Sequence, residues 1–312
     1  MDARPASSSA RALRAQLRAL TDANLGDAFE AFATRDSWLR PLLTPLLYPA
    51  ARRLAEDVAR CDERVAVVGV QQALRDTLTR FTGGLEPSGL HHLPAHGPLL
   101  VTANHPGLTD TLALIGTIPR SDLRIVTRDN PLLRAMPRLG AALVFLPGDP
   151  NGRRRALREL VRHLRQGGAV LIFPAGEIEP DPALYPAAAT ASLIRWSRSL
   201  DTFARLVPGL SVVPSLVSGT VHPSVAAHPL TYLRRRERRA WLAATLQVMF
   251  KRYQDNVVRL VYDAPLTARD GPDVGPAIQQ RTARLIEALA GDAEPPPIVS
   301  PSARPLSVGR LE

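Results

Sequence analysis

The chain has one cysteine and one lysine in 312 residues. With Cys61 alone, no intramolecular disulfide can form and no cysteine-rich metal site can be built, and a reducing compartment is the simplest setting. No apolar run approaches the ~18–20 residues that cross a bilayer as one helix. The opening Met1-Asp2-Ala3-Arg4-Pro5 lacks the apolar stretch of a secretory signal. These absences predict a cytoplasmic protein that at most lies on a membrane. There is no internal repeat, and no Gly-x-Ser-x-Gly elbow, which argues against an α/β-hydrolase.

With Lys251 the sole lysine, the basic charge is almost entirely arginine. The net charge of +10 points to anionic partners such as a phospholipid surface, a phosphorylated substrate or an acidic carrier protein. An arginine bias also follows from genomic base composition, and both readings stand. Nucleic acid is not expected, because aromatic platforms and recognition motifs are missing. An apolar content of 45% supplies a real core and excludes wholesale disorder.

Residues 1–84 read as an N-terminal helical region, with Arg11 to Leu20 Arg-rich and amphipathic. Within it, Asp36 to Pro49 is apolar, carries Trp38 and Tyr48, and is interrupted by Pro41, Pro45 and Pro49; Arg52 and Arg53 follow. Proline breaks long helices, so no clean core helix is expected here. Aromatic and basic residues beside leucines suit a membrane interface; a helical hairpin packed on the main domain is the alternative.

From about Leu85 to 292 the pattern changes to short apolar runs alternating with helices. Pro98–Ala103, Leu123–Thr127, Ala142–Leu146, Ala169–Phe173, Leu210–Pro214 and Val257–Tyr262 read as buried strands. A helix capped by Asn151, with Leu157, Leu160, Val161 and Leu164 inward and Gly167 at its end, lies between the third and fourth. The alternation predicts an α/β fold with a mostly parallel central sheet flanked by helices. Residues 293–312, rich in Pro and Ser, read as a disordered tail.

Three of these strands run into turns that carry chemistry. The first leads into Asn104-His105-Pro106-Gly107-Leu108-Thr109-Asp110, which sets an imidazole and a carboxylate five residues apart across a Pro-Gly turn. It follows the carboxyl end of a strand, where open α/β sheets place their sites. A histidine held by an aspartate can take a proton from a hydroxyl. The second is Phe173-Pro174-Ala175-Gly176-Glu177, and the third Val213-Pro214 with Ser218-Gly219. All three are expected at one edge of the sheet. The other six histidines (His91, His92, His96, His163, His222 and His228) read as structural; His222, near a strand end, is the one among them placed for a further role. The Arg234–Arg239 cluster beside Trp241 reads as a solvated face or as a contact for anionic lipid or an acidic carrier.

In their order these blocks resemble the PlsC-like glycerolipid and lysophospholipid acyltransferases, known by an Asn-His-x4-Asp block, a Phe-Pro-Glu-Gly block and a later Val-Pro block. The likeness runs from about Leu85 to Leu266. It implies an O-acyltransferase that moves a fatty acyl group from acyl-CoA or acyl-carrier protein, as co-substrate, to the hydroxyl of a lipid acceptor at an anionic membrane surface. No metal or bound cofactor is implied. His105 would be the general base and Asp110 its orienting acid; Asn104, Gly107, Arg128, Phe173, Pro174, Gly176 and Glu177 would bind substrate. Backbone N–H groups around Gly176 would hold the oxyanion. Arg128 would grip a phosphate, or else pair with Asp129; Glu177 would be an acceptor ligand or a turn carboxylate. The chain departs from the family pattern at Ala175, where glutamate is usual, and after Leu146, where Pro147-Gly148-Asp149 replaces a segment with arginine. Those departures leave open an inactive lipid-binding member of the same fold.

Overall fold

In a computed structural model the chain is described over residues 4–32, 38–197, 199–267 and 274–292. The tail expected over 293–312 and the Asp36-Ser37 start of the proline-rich stretch lie outside these residues. Seven strands form one sheet: β1 (Gly84–Ser88), β2 (Leu99–Ala103), β3 (Leu123–Arg128), β4 (Leu143–Leu146), β5 (Ala169–Ile172), β6 (Ser211–Ser218) and β7 (Val257–Tyr262), in the order β1-β7-β6-β2-β5-β3-β4. The β6–β7 pair is antiparallel and every other pair parallel. The helices are α1 (Arg4–Ala31), α2 (Arg40–Leu78), α3 (Thr109–Thr117), α4 (Pro131–Arg134), α5 (Pro137–Gly140), α6 (Pro150–Arg165), α7 (Pro186–Ser192), α8 (Ser199–Leu206), α9 (Pro223–Ala226), α10 (Arg236–Met249) and α11 (Val274–Asp292).

The strand pleat sorts alternate residues into two cores. Leu99, Val101, Ala103, Leu171 and Val213 pack with Leu74 and Leu78 of α2 and Leu114 and Ile115 of α3. Leu100, Val170, Ile172, Val212 and Leu216 pack on the other face with Leu160 and Leu164 of α6, Phe203 of α8 and Ile278 of α11. Burial on both faces explains why these strands read as continuous apolar runs. Helices α1 and α2 lie against each other, and Leu20, Ala55 and Ala59 join the first of these cores, so the N-terminal hairpin shares its apolar interior with the sheet.

Three local expectations are corrected. Helix α2 passes through Pro45 and Pro49 and kinks instead at Gly69, where φ is 79°. Pro41, Pro45 and Pro49 recur every fourth residue along the exposed side, so the carbonyls that lose an N–H partner face outward. Helix α6 is capped by Asp149, whose carboxylate accepts the Gly152 N–H at 2.7 Å, because Pro150 already opens the helix. Strand β6 is not broken at Pro214 but continues to Ser218. Pro214 turns its backbone toward the β7 side just past the Ser215–Tyr262 pair, and its carbonyl accepts the Asp263 N–H at 2.9 Å.

Cys61 is buried, and burial pushes its thiol up. Among the described residues no helix is long and apolar enough to cross a membrane. Trp38, Leu42 and Leu46 nevertheless stand 79%, 67% and 73% exposed at the start of the hairpin's second helix.

Candidate active site

The order β6-β2-β5 brings the three turns together at the carboxyl ends of adjacent strands. After β2 the chain turns through Asn104 to Leu108 and enters α3, so Asp110 sits in the first turn of that helix, where exposed N–H groups favour a carboxylate. The His105 Nδ1–H donates to Asp110 Oδ2 at 2.8 Å, an assignment fixed by the carboxylate being an acceptor only. Asp110 is fully buried, and its oxygens also accept from Gly107 N–H at 3.1 Å and from the N–H and hydroxyl of Thr111. The imidazole is 21% exposed at the rim, and Nε2 has no protein partner among the described residues. Burial works to lower the His105 pKa; the charge and hydrogen bond of Asp110 and the charge of Glu179 outweigh it and leave the pKa above its ordinary value.

Phe173, just past β5, stacks on the imidazole with centroids 4.4 Å apart and planes at 28°. The turn behind it is closed by Gly176 N–H donating to Phe173 O at 3.0 Å, with Gly176 at a φ of 65°. The Gly176 amide is therefore occupied within its own turn. Pro174 is buried, and its carbonyl accepts the Ser197 N–H. Arg128, at the end of β3, reaches over this turn: its Nη2 lies 3.9 Å from where a Cβ on Gly176 would stand. Asp129 does not pair with Arg128 but holds Arg134, at 2.6 and 2.9 Å. Glu177 is ion-paired with Arg195 at 2.8 Å in partly exposed surroundings, away from the imidazole's hydrogen bonds.

Asn104 and Gly107, expected to bind substrate, are both engaged in contacts of the fold. Asn104 is buried and hydrogen-bonds both ways to the Val217 backbone, Nδ2 to its carbonyl and Oδ1 from its N–H, each at 2.8 Å. It ties the end of β2 to β6. Gly107 is buried against Thr220: a Cβ there would fall 2.9 Å from Thr220 Oγ1, so the residue allows a close approach of backbone to side chain. His222 caps α9 by accepting Ser224 N–H, and His92 and His163 meet the carbonyls of Tyr262 and Asp122.

Two carboxylates next to the site were not assigned roles from sequence. Glu179 Oε2 accepts the His105 N–H at 3.0 Å, while Glu179 N–H donates to His105 O at 2.8 Å. Its Oε1 accepts from Ser192 Oγ at 2.8 Å and Trp196 Nε1 at 2.9 Å. Burial raises its carboxyl above the usual range, against the pull of Trp196, Ser192 and His105. Asp181 accepts the N–H groups of Gly219, Thr220 and Val221 at 2.7 to 3.0 Å, and so fixes the loop after β6 that packs on Gly107. Burial raises the Asp181 carboxyl too, and these N–H groups oppose it. The available signal was the Glu179-Pro180-Asp181 triplet: two acids so close behind a buried strand need donors waiting for them.

A family model described as Acyltransferase matches residues 85–217. Over 118 residues the chain is 33% identical to the lysophospholipid acyltransferase LPCAT4 of Homo sapiens, and equally to that of Mus musculus. The match covers 34% of this chain and 22% of each relative, so the chain aligns with about a fifth of those proteins. The crystal structure of the 1-acyl-sn-glycerophosphate (LPA) acyltransferase PlsC from Thermotoga maritima aligns with a TM-score of 0.46 and 18% identity, over 79% of this chain and 83% of that one. Residues 85–217, which the Acyltransferase family model matches, hold the His105–Asp110 pair.

Proposed function

We propose that the protein transfers a fatty acyl group from an acyl thioester to the hydroxyl of a lysophospholipid or glycerolipid-like acceptor, a 1-acylglycerol-3-phosphate O-acyltransferase-like reaction. The observation that carries this is the 2.8 Å contact from His105 Nδ1 to buried Asp110, with Nε2 left at the rim of the sheet. Nε2 takes the proton of the acceptor hydroxyl as its oxygen attacks the thioester carbonyl. A C–O bond forms, the C–S bond breaks, and the proton passes from the imidazolium to the leaving thiolate. Asp110 holds the tautomer and stabilises the cation, as the acid does in hydrolase triads. With the Gly176 amide engaged, the Ala175 N–H and the Arg128 guanidinium are the donors this turn offers to the developing oxyanion or an acceptor phosphate.

The donor is acyl-CoA or acyl-carrier protein. Both are anionic, and Arg154, Arg155 and Arg158 of α6 line an open groove of about 500 Å³ together with Asn151 and Leu157. The site works at the anionic inner face of the cytoplasmic membrane. Trp38, Leu42 and Leu46 support this as exposed apolar anchors, as does the Arg238 and Arg239 pair stacked on Trp241 and Tyr232.

The test is purified protein incubated with labelled acyl-CoA and acyl-carrier thioesters against a panel of lysolipids. Transfer by the native chain and none by His105→Ala is the expected result. Absence of transfer with every donor, alongside retained liposome binding by both proteins, identifies an inactive lipid-binding member instead.

A further inference from the structure

We propose that Glu179 is a positioning residue for His105, a second carboxylate that grips the backbone of the base and adds negative charge close to the ring as it becomes cationic. The inference rests on the acyl-transfer reading above.

The grip is made from both sides. Oε2 of Glu179 accepts the His105 N–H at 3.0 Å, and the Glu179 N–H donates to the His105 carbonyl at 2.8 Å. Both polar groups of the histidine backbone are thereby fixed by one residue 74 positions away. Asp110 fixes the ring. Between them, the base has no rotation left about its own backbone and little about its side chain. Glu179 is itself held at Oε1 by Ser192 and Trp196, both from the segment around α7 and immediately after it. The His105 amide and the Trp196 indole can only donate, and both therefore favour the ionised carboxylate against the effect of burial.

The charge then acts on the reaction. The charged groups facing this part of the site are Asp110 from α3, Glu179 from the loop after β5 and the Arg128 guanidinium over Gly176. Glu177, two residues before Glu179, is matched by Arg195 and adds little net charge. When Nε2 takes up the acceptor proton, the imidazolium has one buried carboxylate at Nδ1 and a second at the backbone N–H of the same residue, in a poorly solvated place where charges interact strongly. Asp110 supplies the contact, and Glu179 supplies the backbone geometry and part of the field.

The same loop reaches the opposite wall. Asp181, two residues on, gathers the N–H groups of Gly219, Thr220 and Val221 and so sets the loop that packs on Gly107. The short Glu179-Pro180-Asp181 segment therefore joins the end of β5 to the turns after β2 and β6.

The test compares wild type, His105→Ala, Glu179→Gln and Ser192→Ala by pH profiles of kcat and kcat/KM and by NMR titration of the His105 imidazole. Glu179→Gln is expected to lower kcat about ten- to a hundredfold with KM held within about twofold. It should also move the acid limb and the imidazole titration to lower pH, because a charge that favours the imidazolium is gone. Ser192→Ala leaves the carboxylate in place but loosens it, and should lower kcat several-fold with KM again held. A wild type active on thioesters, with kcat and the imidazole titration unchanged in both variants, overturns the proposal. An inactive wild type whose imidazole titration still shifts in Glu179→Gln overturns the acyl-transfer reading and leaves the assignment of Glu179 standing. Should Glu179→Gln not fold, the Ser192→Ala kinetics decide: unchanged kcat overturns the proposal.

Discussion

The ring of Phe173 lies against the ring of His105, with centroids 4.4 Å apart and planes inclined by 28°. One aromatic residue just past β5 thus covers a face of the imidazole that follows β2. Replacing it tests whether the stack has a kinetic role. Phe173→Ala removes the cover and gives the imidazole room to turn. Aromatic contacts of this kind contribute about 0.5–1.5 kcal/mol beyond the area buried. The expected result is a fall in kcat of roughly tenfold, consistent with that magnitude. Phe173→Leu, which keeps bulk without the ring face, should fall between. Steady-state kinetics and a melting curve measured together separate loss of alignment from loss of folded protein.

The histidine–aspartate pair predicts a pH dependence with a definite sign. In the proposed reaction His105 acts as neutral imidazole, so kcat/KM should fall as pH drops through its pKa. That pKa lies above the ordinary value, because Asp110 and Glu179 together outweigh the effect of burial. The acid limb of wild type therefore sits above the usual ~6.5 of histidine. Asp110→Asn removes the contact that raises the pKa most, leaves burial to lower it, and moves the acid limb down. The amide also no longer enforces the tautomer with Nε2 free, so kcat should drop by about 10³–10⁴, the scale seen when the acid of a hydrolase triad is made an amide. A pH–rate profile of both proteins checks shift and loss together.

Gly107 makes a steric prediction that can be reversed. A methyl group there would meet Thr220 Oγ1 at 2.9 Å and Cβ at 3.2 Å. Gly107→Ala should therefore destabilise the fold by about 1–3 kcal/mol, the range for overpacking a filled interior, and lower activity by displacing the turn between His105 and Asp110. Thr220→Ala removes the obstructing oxygen, at the loss of one hydrogen bond to Asp181. The double variant should be more stable than the sum of the two single changes. Denaturant unfolding of all four proteins gives the coupling directly, and strict additivity would place the clash elsewhere.

The chemistry-bearing turns were more legible than the atoms around them. Asn104-His105-Pro106-Gly107 followed by Asp110 announces a strand end, a turn and a helix start, and those features are local. The mostly parallel sheet was legible for the same reason, since strands buried on both faces lack polar alternation. Other features depend on contacts across the chain. Asn104 stands beside the base in sequence, yet its amide binds Val217, 113 residues away, which no local pattern records. Glu177 follows Gly176 directly and so reads as the natural carboxylate, but the loop carries it out to Arg195 and brings Glu179 inward. The prolines of α2 misled because their effect was judged for a buried helix, whereas the side that carries them is exposed.

That exposed side carries the last prediction. Leu42 and Leu46 are four residues apart in α2 and so share a face, Trp38 lies just before that helix, and each is two-thirds or more exposed. Their neighbours Leu47, Ala50 and Ala51 are buried with Phe29 and Met249, so the segment is fixed to the protein by its other side. Full burial of one large apolar side chain contributes about 1.5–3 kcal/mol, and three together suffice for measurable attachment to vesicles. Replacing all three by serine should leave the melting temperature nearly unchanged, because no packed contact is lost. It should weaken sedimentation with phosphatidylglycerol vesicles by at least about tenfold, a conservative reading of that burial energy. Added salt should weaken wild type only in part, since the arginines respond to screening and the apolar anchors do not. Complete release of wild type by salt alone, or equal sedimentation of the two proteins, would assign the attachment to arginine rather than to this face.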